Sequence, residues 1–193
     1  MNDVIISAAI EYITQLFEGN SGGHDLEHSL RVYRLAMHIA KTETDCNKTV
    51  VALAALLHDA DDYKLFNTVD NANARSFLES RGVESETIDK VCEAINSVSY
   101  SKNGLNKPKT IEGMIVQDAD RLDALGAIGI ARTFAFGGEH GRSIDSTIEH
   151  FHNKLLLLKD GMNTGSAREM AESRHAFMEE FLVRYENENK DVL

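Results

Sequence analysis

The chain has 193 residues, and 31 Asp and Glu against 20 Lys and Arg leave a net charge of −11. One domain of that length buries roughly 70% of its unfolded surface, and an apolar fraction of 42% belongs to a globular rather than a disordered chain. The longest wholly apolar run, residues 50–57, falls well short of the ~18 residues of a membrane span. The acidic balance also argues against a nucleic-acid polymer as partner, because counterion release needs a basic patch. Met1-Asn2-Asp3 lacks the charged-then-apolar pattern of a secretion leader. Two cysteines, Cys46 and Cys92, make no disulfide framework, so a reducing cytoplasmic setting is expected. A small anionic substrate stays compatible with this charge only if something local reverses the sign.

The pattern is helical throughout. There is one proline, Pro108, and no alternation of apolar and polar residues that reads as a strand. A first amphipathic helix is expected over residues 3–17, with Ile6, Ile10, Ile13 and Phe17 on one face, ending in the Gly-rich loop 19–23. A second helix spans 25–42. The third, 48–58, is apolar on every side and so should be central and buried. Short helices follow at 71–81 and 85–98, then a polar loop over 99–110. Residues 111–136 read as one long or broken helix with Gly126 and Gly129 inside. Two capping boxes, Ser146 to Glu149 and Ser166 to Glu169, announce the last helices. The first of these runs through Leu158 and stops at Gly161; the second carries Met170, Phe177, Phe181 and Tyr185 at helical spacing. The expected fold class is all-α, with eight or nine helices in a single domain.

Three segments carry residues with chemistry. On the second helix His28 shares a stripe with Val32, Leu35 and Ile39, with His24 one turn before it and Arg31 one turn after. The third helix ends in His58-Asp59-Ala60-Asp61-Asp62, and carboxylates at a helix C-terminus oppose its dipole by ~0.3–1 kcal/mol each. Either a cation resolves that conflict, or Asp61 or Asp62 caps the following turn and the cluster is solvated. In the segment 116–126, Asp118, Asp120 and Asp123 interrupt an apolar face made by Ile111, Ile115, Leu122 and Leu125. They call for Arg121 or a metal as partner.

His28, the doublet His58-Asp59 and Asp120, about sixty residues further on, together resemble the H…HD…D signature of the HD-domain phosphohydrolases. The longer stretches Gly23 to His28, Leu57 to Lys64 and Gln117 to Ala124 are similar to small stand-alone bacterial members, the YedJ/YpgQ-like group. Ile128 to Arg132 and His150-Phe151 with Lys154 to Leu156 also match that group, so the likeness covers most of the chain. The resemblance implies an HD-domain helical bundle over residues 1–193. Its metal site is drawn from segments 24–31, 58–64 and 117–123, and helices over 147–187 complete the core.

It also implies a ligand set of His28, His58, Asp59 and Asp120 around one divalent ion. Mn²⁺ is favoured, and Mg²⁺, Fe²⁺ and Zn²⁺ suit the same donors. No histidine occurs between His58 and His140, which disfavours the two-metal members of the superfamily. Asp62 takes the place of the general base, or else orients a ligand histidine. Arg31, Lys64 and Arg121 are the cations expected to hold phosphate oxygens, or to neutralise aspartates, the role favoured for Arg121. His24 and Asp25 would shape the mouth of the site, and Asp123 would support it. His150 matches a family position without an evident task.

The activity implied is hydrolysis of a (deoxy)nucleoside triphosphate to monophosphate and pyrophosphate by a metal-activated water. The alternatives are a 5′-nucleotidase, an alarmone hydrolase, or a non-catalytic module sensing a nucleotide or metal. The partner expected is a small anionic nucleotide, with no membrane, for a monomer or homodimer.

Overall fold

The computed structural model describes residues 2–20 and 25–190, and all regular structure among them is helical. The chain divides into two compact units, Met1–Asp120 and Arg121–Leu193. The described residues form ten α-helices and one 3-10 turn. The count exceeds the expected eight or nine because the segment 111–136 breaks in two and the loop 99–110 contains one extra helical turn.

The first unit is built around a helix that has no polar side to offer solvent. α1 (Asn2–Leu16), α2 (Leu26–Ile39) and α3 (Lys48–Leu57) open the chain, and residues 50–57 of α3 are all buried. Asn47 caps α3, its side chain accepting from the Thr49 and Val50 N–H groups at 3.1 and 3.2 Å. Both α1 and α2 pack on α3, as does α5 (Ser85–Asn96), which also carries α4 (Ala72–Ser80). The entry to α4 is tight: Asp70 and Asn71 both adopt left-handed backbone, φ 55° and 57°, which short polar side chains tolerate. Asn71, at the N-cap position, donates its amide to the Asn96 side chain at 3.1 Å and makes no cap hydrogen bond to α4. Asp61 supplies the cap instead, its two oxygens accepting from the Asn73 and Ala74 N–H groups at 2.9 and 3.0 Å. After α5 comes the single turn α6 (Tyr100–Asn103), then α7 (Ile111–Asp123), which the first unit shares as far as Asp120.

The second unit takes up the end of α7 and adds α8 (Gly126–Glu139), α9 (Ile144–Asn153), a 3-10 turn at Leu155–Gly161 and α10 (Gly165–Lys190). α7 and α8 separate because Leu125 is extended and Gly126 sits at φ +73°. The close return also needs Gly129, where a Cβ would lie 2.2 Å from the Ala124 carbonyl oxygen.

Three expectations for the second unit are corrected. Ser143, not Ser146, opens α9, its hydroxyl accepting from the Ser146 N–H at 3.1 Å. That helix stops at Asn153, and the residues up to Gly161 wind as 3-10. The buried face of α10 is Ala167, Ala171, His175, Met178 and Leu182 rather than the Met170–Phe177–Phe181–Tyr185 stripe, and Phe177 is 48% exposed. Small alanines let α10 come close to its neighbours, while Phe181 meets Phe134 and Phe151 at 5.9 and 6.1 Å.

Candidate metal centre

Each histidine of the site comes from a helix end that the sequence defines locally. Asp25 is the N-cap of α2, and its carboxylate accepts from the His28 N–H at 2.7 Å, which sets where α2 begins and buries His28 on its inner face. His58 is the C-cap of α3. Its Nδ1 lies 2.9 Å from the Ala55 carbonyl oxygen, a hydrogen bond that leaves Nε2 facing inward. Asp59 follows directly and is buried. Asp120 stands in the last turn of α7 within the first unit.

These four groups converge. The ligand atoms of His28, His58 and Asp120 all lie within 4.8 Å of one another. The two histidine Nε2 atoms face each other at 3.2 Å. Asp59 Oδ2 is 3.5 Å from His28 Nε2 and 3.3 Å from His58 Nε2. Asp120 Oδ1 is 3.3 and 3.9 Å from the same two nitrogens. The histidine side chains are only 3% exposed, whereas that of Asp120 is 26% exposed, so the cluster opens to solvent on the Asp120 side.

The electrostatics fit a missing positive charge. Burial works against a charged His58 ring, but Asp59 and then Asp120 outweigh it and raise the group to about 9. Burial likewise pushes Asp120 up, and hydrogen bonding and charge from His28, with His58, hold it below the ordinary range. Two imidazoles and two carboxylates this close form a donor set that suits a divalent cation. His28, His58 and Asp120 are placed as possible ligands of such an ion, and Asp59 lies alongside both imidazoles.

The remaining expected residues fall into three groups. Asp62, half-buried, accepts from the Lys64 N–H at 2.9 Å. Lys64 is exposed, with its ammonium 5.8 Å from the centre of the Tyr63 ring. Arg31 is half-buried on α2, one turn beyond His28. Arg121 and Asp123 belong to the second unit, and both are buried there. Arg121 donates to the Gly161 carbonyl, and Asp123 Oδ2 lies 2.6 Å from Arg132 NH1. His24 lies outside the described residues. The sequence reading did not single out Gln117, whose fully buried amide donates to the Ser97 and Asn106 carbonyls at 2.8 and 3.2 Å. A polar pair, Gln117-Asp118, set between apolar Ile115-Val116 and Ala119, is the available signal. No described helix is long and apolar enough to cross a membrane.

Comparison with known proteins agrees with this arrangement. Residues 25–125 match the HD domain family. The protein YpgQ of Bacillus subtilis is 42% identical over 185 residues, covering 92% of this chain and 90% of its own. A crystal structure of Bacillus subtilis YpgQ in complex with ADP superposes with a TM-score of 0.85 at 36% identity, over 97% of each chain. An HD-superfamily hydrolase from Bacillus thuringiensis gives 0.82 at 38% identity, over 98% of this chain and 99% of its own. With the family match spanning the segments that carry His28, His58, Asp59 and Asp120, and relatives alike over nearly their whole length, the chain belongs to the HD domain family.

Proposed function

We propose that this chain is a metal-dependent phosphohydrolase of nucleotides that cleaves a (deoxy)nucleoside triphosphate to the monophosphate and pyrophosphate. The observation that carries the reading is the meeting of ligand atoms from His28, His58 and Asp120 within 4.8 Å of one another, with Asp59 alongside both imidazoles, in one compact unit. The complex of the relative YpgQ with ADP supports a nucleotide as the ligand. When bound, a divalent ion, Mn²⁺ by preference, supplies an acidified water and screens phosphoryl charge. It also provides the local reversal of sign that a chain of charge −11 needs to accept an anion.

The protein's own residues do the rest. The Ala55 carbonyl fixes His58 in the tautomer that presents Nε2, and Asp25 holds the turn that carries His28. Water attacks the α-phosphorus, the bond from that phosphorus to the bridging oxygen breaks, and pyrophosphate leaves. Asp62 takes the water's proton: one carboxylate oxygen is engaged by the Lys64 N–H, and the second is left to accept it. Arg31 and Lys64 are the cations that hold phosphate oxygens. Arg121, with Asp123, keeps the fold of the second unit.

Incubating the protein with Mn²⁺ and nucleotides bearing one, two or three phosphates tests this directly, with Asp59→Asn alongside. Pyrophosphate from triphosphates, absent with the variant, is the expected result. Free phosphate from monophosphates would replace the reading with a nucleotidase using the same ligands. No product from protein carrying stoichiometric metal would overturn hydrolysis and leave a binding module.

A further inference from the structure

The acidic surface has one stretch of opposite character. No Asp or Glu occurs between Glu93 and Glu112, and Lys102, Lys107 and Lys109 all fall inside that gap. All three are exposed. Among the other lysines, Lys90 is 2.7 Å from Glu86, Lys159 is 3.5 Å from Glu172 and Lys190 is 4.0 Å from Glu186, while exposed Lys41 and Lys48 stand singly, without such a pair among the described residues. None of the three loop lysines has an ion-pair partner among the described residues.

The loop is also built rather than loose. Asn103 donates its amide to the Asn96 and Ser99 carbonyls at 3.0 and 3.1 Å, and Pro108 is buried. The Gln117 amide ties to α7 the Ser97 carbonyl, just before the loop, and the Asn106 carbonyl, inside it. Gln117 stands three residues before Asp120, and side chains at that spacing are neighbours on a helix, about 5–6 Å apart at Cβ. The root of the lysine loop is therefore fastened beside the most exposed carboxylate of the metal centre, in the same unit. Charges act over a Debye length of about 8–10 Å at ordinary salt, so they need not touch the ion's ligands to matter.

We propose that Lys102, Lys107 and Lys109 form the surface that recruits the phosphate groups of the nucleotide to the Asp120 side of the centre. The inference rests on the nucleotide reading above, and it adds to Arg31 and Lys64 a further set of cations, in a segment outside the metal motif, that draws the anion's phosphates in. It also accounts for how so acidic a molecule admits a polyphosphate, since the three lysines fall in one acid-free loop and have no ion-pair partner among the described residues.

The test is binding of ADP to the full-length protein by calorimetry, at about 0.05 M and about 0.5 M salt, where screening differs several-fold. The triple variant Lys102→Gln/Lys107→Gln/Lys109→Gln should bind about tenfold more weakly at low salt, with the gap closing at high salt. Lys107→Gln alone should move in the same direction by a smaller factor. The matched variant Lys90→Gln/Lys159→Gln/Lys190→Gln removes the same charge elsewhere and should bind as the parent does. The proposal is overturned if the loop variant keeps the parent's affinity and salt dependence, if the matched variant loses as much, or if the parent does not bind ADP. Loss of ADP affinity in the loop variant of a protein that releases no pyrophosphate would uphold this assignment while removing hydrolysis, so the two failures are separable.

Discussion

Asp123 and Asp120 stand three residues apart on α7, and their charges are met by different means. Asp123 has a cation of the protein itself: Arg132 NH1 lies 2.6 Å from its Oδ2 and reaches its carbonyl oxygen at 3.3 Å. Asp120 faces two imidazoles at 3.3 and 3.9 Å, and they have Asp59 to serve as well. The first arrangement is closed, a carboxylate 2% exposed against a guanidinium. The second holds two carboxylates against two weak bases and leaves Asp120 partly open. A buried carboxylate with a fixed guanidinium is a piece of architecture. Imidazoles and carboxylates gathered at a partly open place have the donor set of a cation site.

Breaking the two arrangements should therefore produce different losses. The largest effect is expected for Asp59→Asn, which keeps the shape but removes a ligand charge. Pyrophosphate release should fall by about 10³-fold or more, equivalent to roughly 4 kcal/mol in the barrier. The melting temperature of the metal-free protein should change little. Arg132→Ala should do the reverse. Taking this guanidinium from the Asp123 carboxylate should cost about 3 kcal/mol, less than a fully buried pair because Arg132 is partly exposed. A calorimetric scan should show the midpoint falling by about 6–12 °C, while metal is still bound at low temperature.

Asp61→Ala separates the second carboxylate of the His58–Asp62 run from the centre. It removes only the α4 cap, so urea unfolding should report a loss of about 1 kcal/mol, with metal affinity retained. The smallest effect concerns His150, in the second unit. Burial, then the charges of Lys154 and Arg142, lower its affinity for a proton. A base whose folded value lies below its unfolded one takes up protons preferentially when unfolded. Stability should therefore decline as the pH falls through the unfolded value near 6.5 and level off below the folded one. His150→Gln should remove that portion of the pH dependence in denaturant titrations.

The first unit was the more legible half in sequence. An apolar run as unbroken as residues 50–57 has only one place to go, and α3 is buried along all of it. The polar residues at its end were conspicuous for the same reason. His28 stood out because Val32 and Ile39 on its stripe are core residues. Which carboxylates cap and which gather could not be read there: Asp61 finds its partners, the Asn73 and Ala74 N–H groups, in a helix twelve residues on. The second unit misled through size. Phe177 and Tyr185 dominate any apolar count along α10, yet the face that packs is marked by Ala167 and Ala171, whose value lies in the approach they permit. The serine at 146 resembled a cap because a glutamate follows three residues later, but Ser143 holds that position. Helical spacing shows that a face exists; which face is used depends on partners remote in sequence.

Titration of divalent metal into the metal-free protein, with Asp120→Asn in parallel, tests the central claim most directly. The account predicts one Mn²⁺ per chain for the parent and binding weakened by about 100-fold or more in the variant, beyond the upper range seen for residues that merely support a ligand. Equal binding by parent and variant, or none by either, would contradict it.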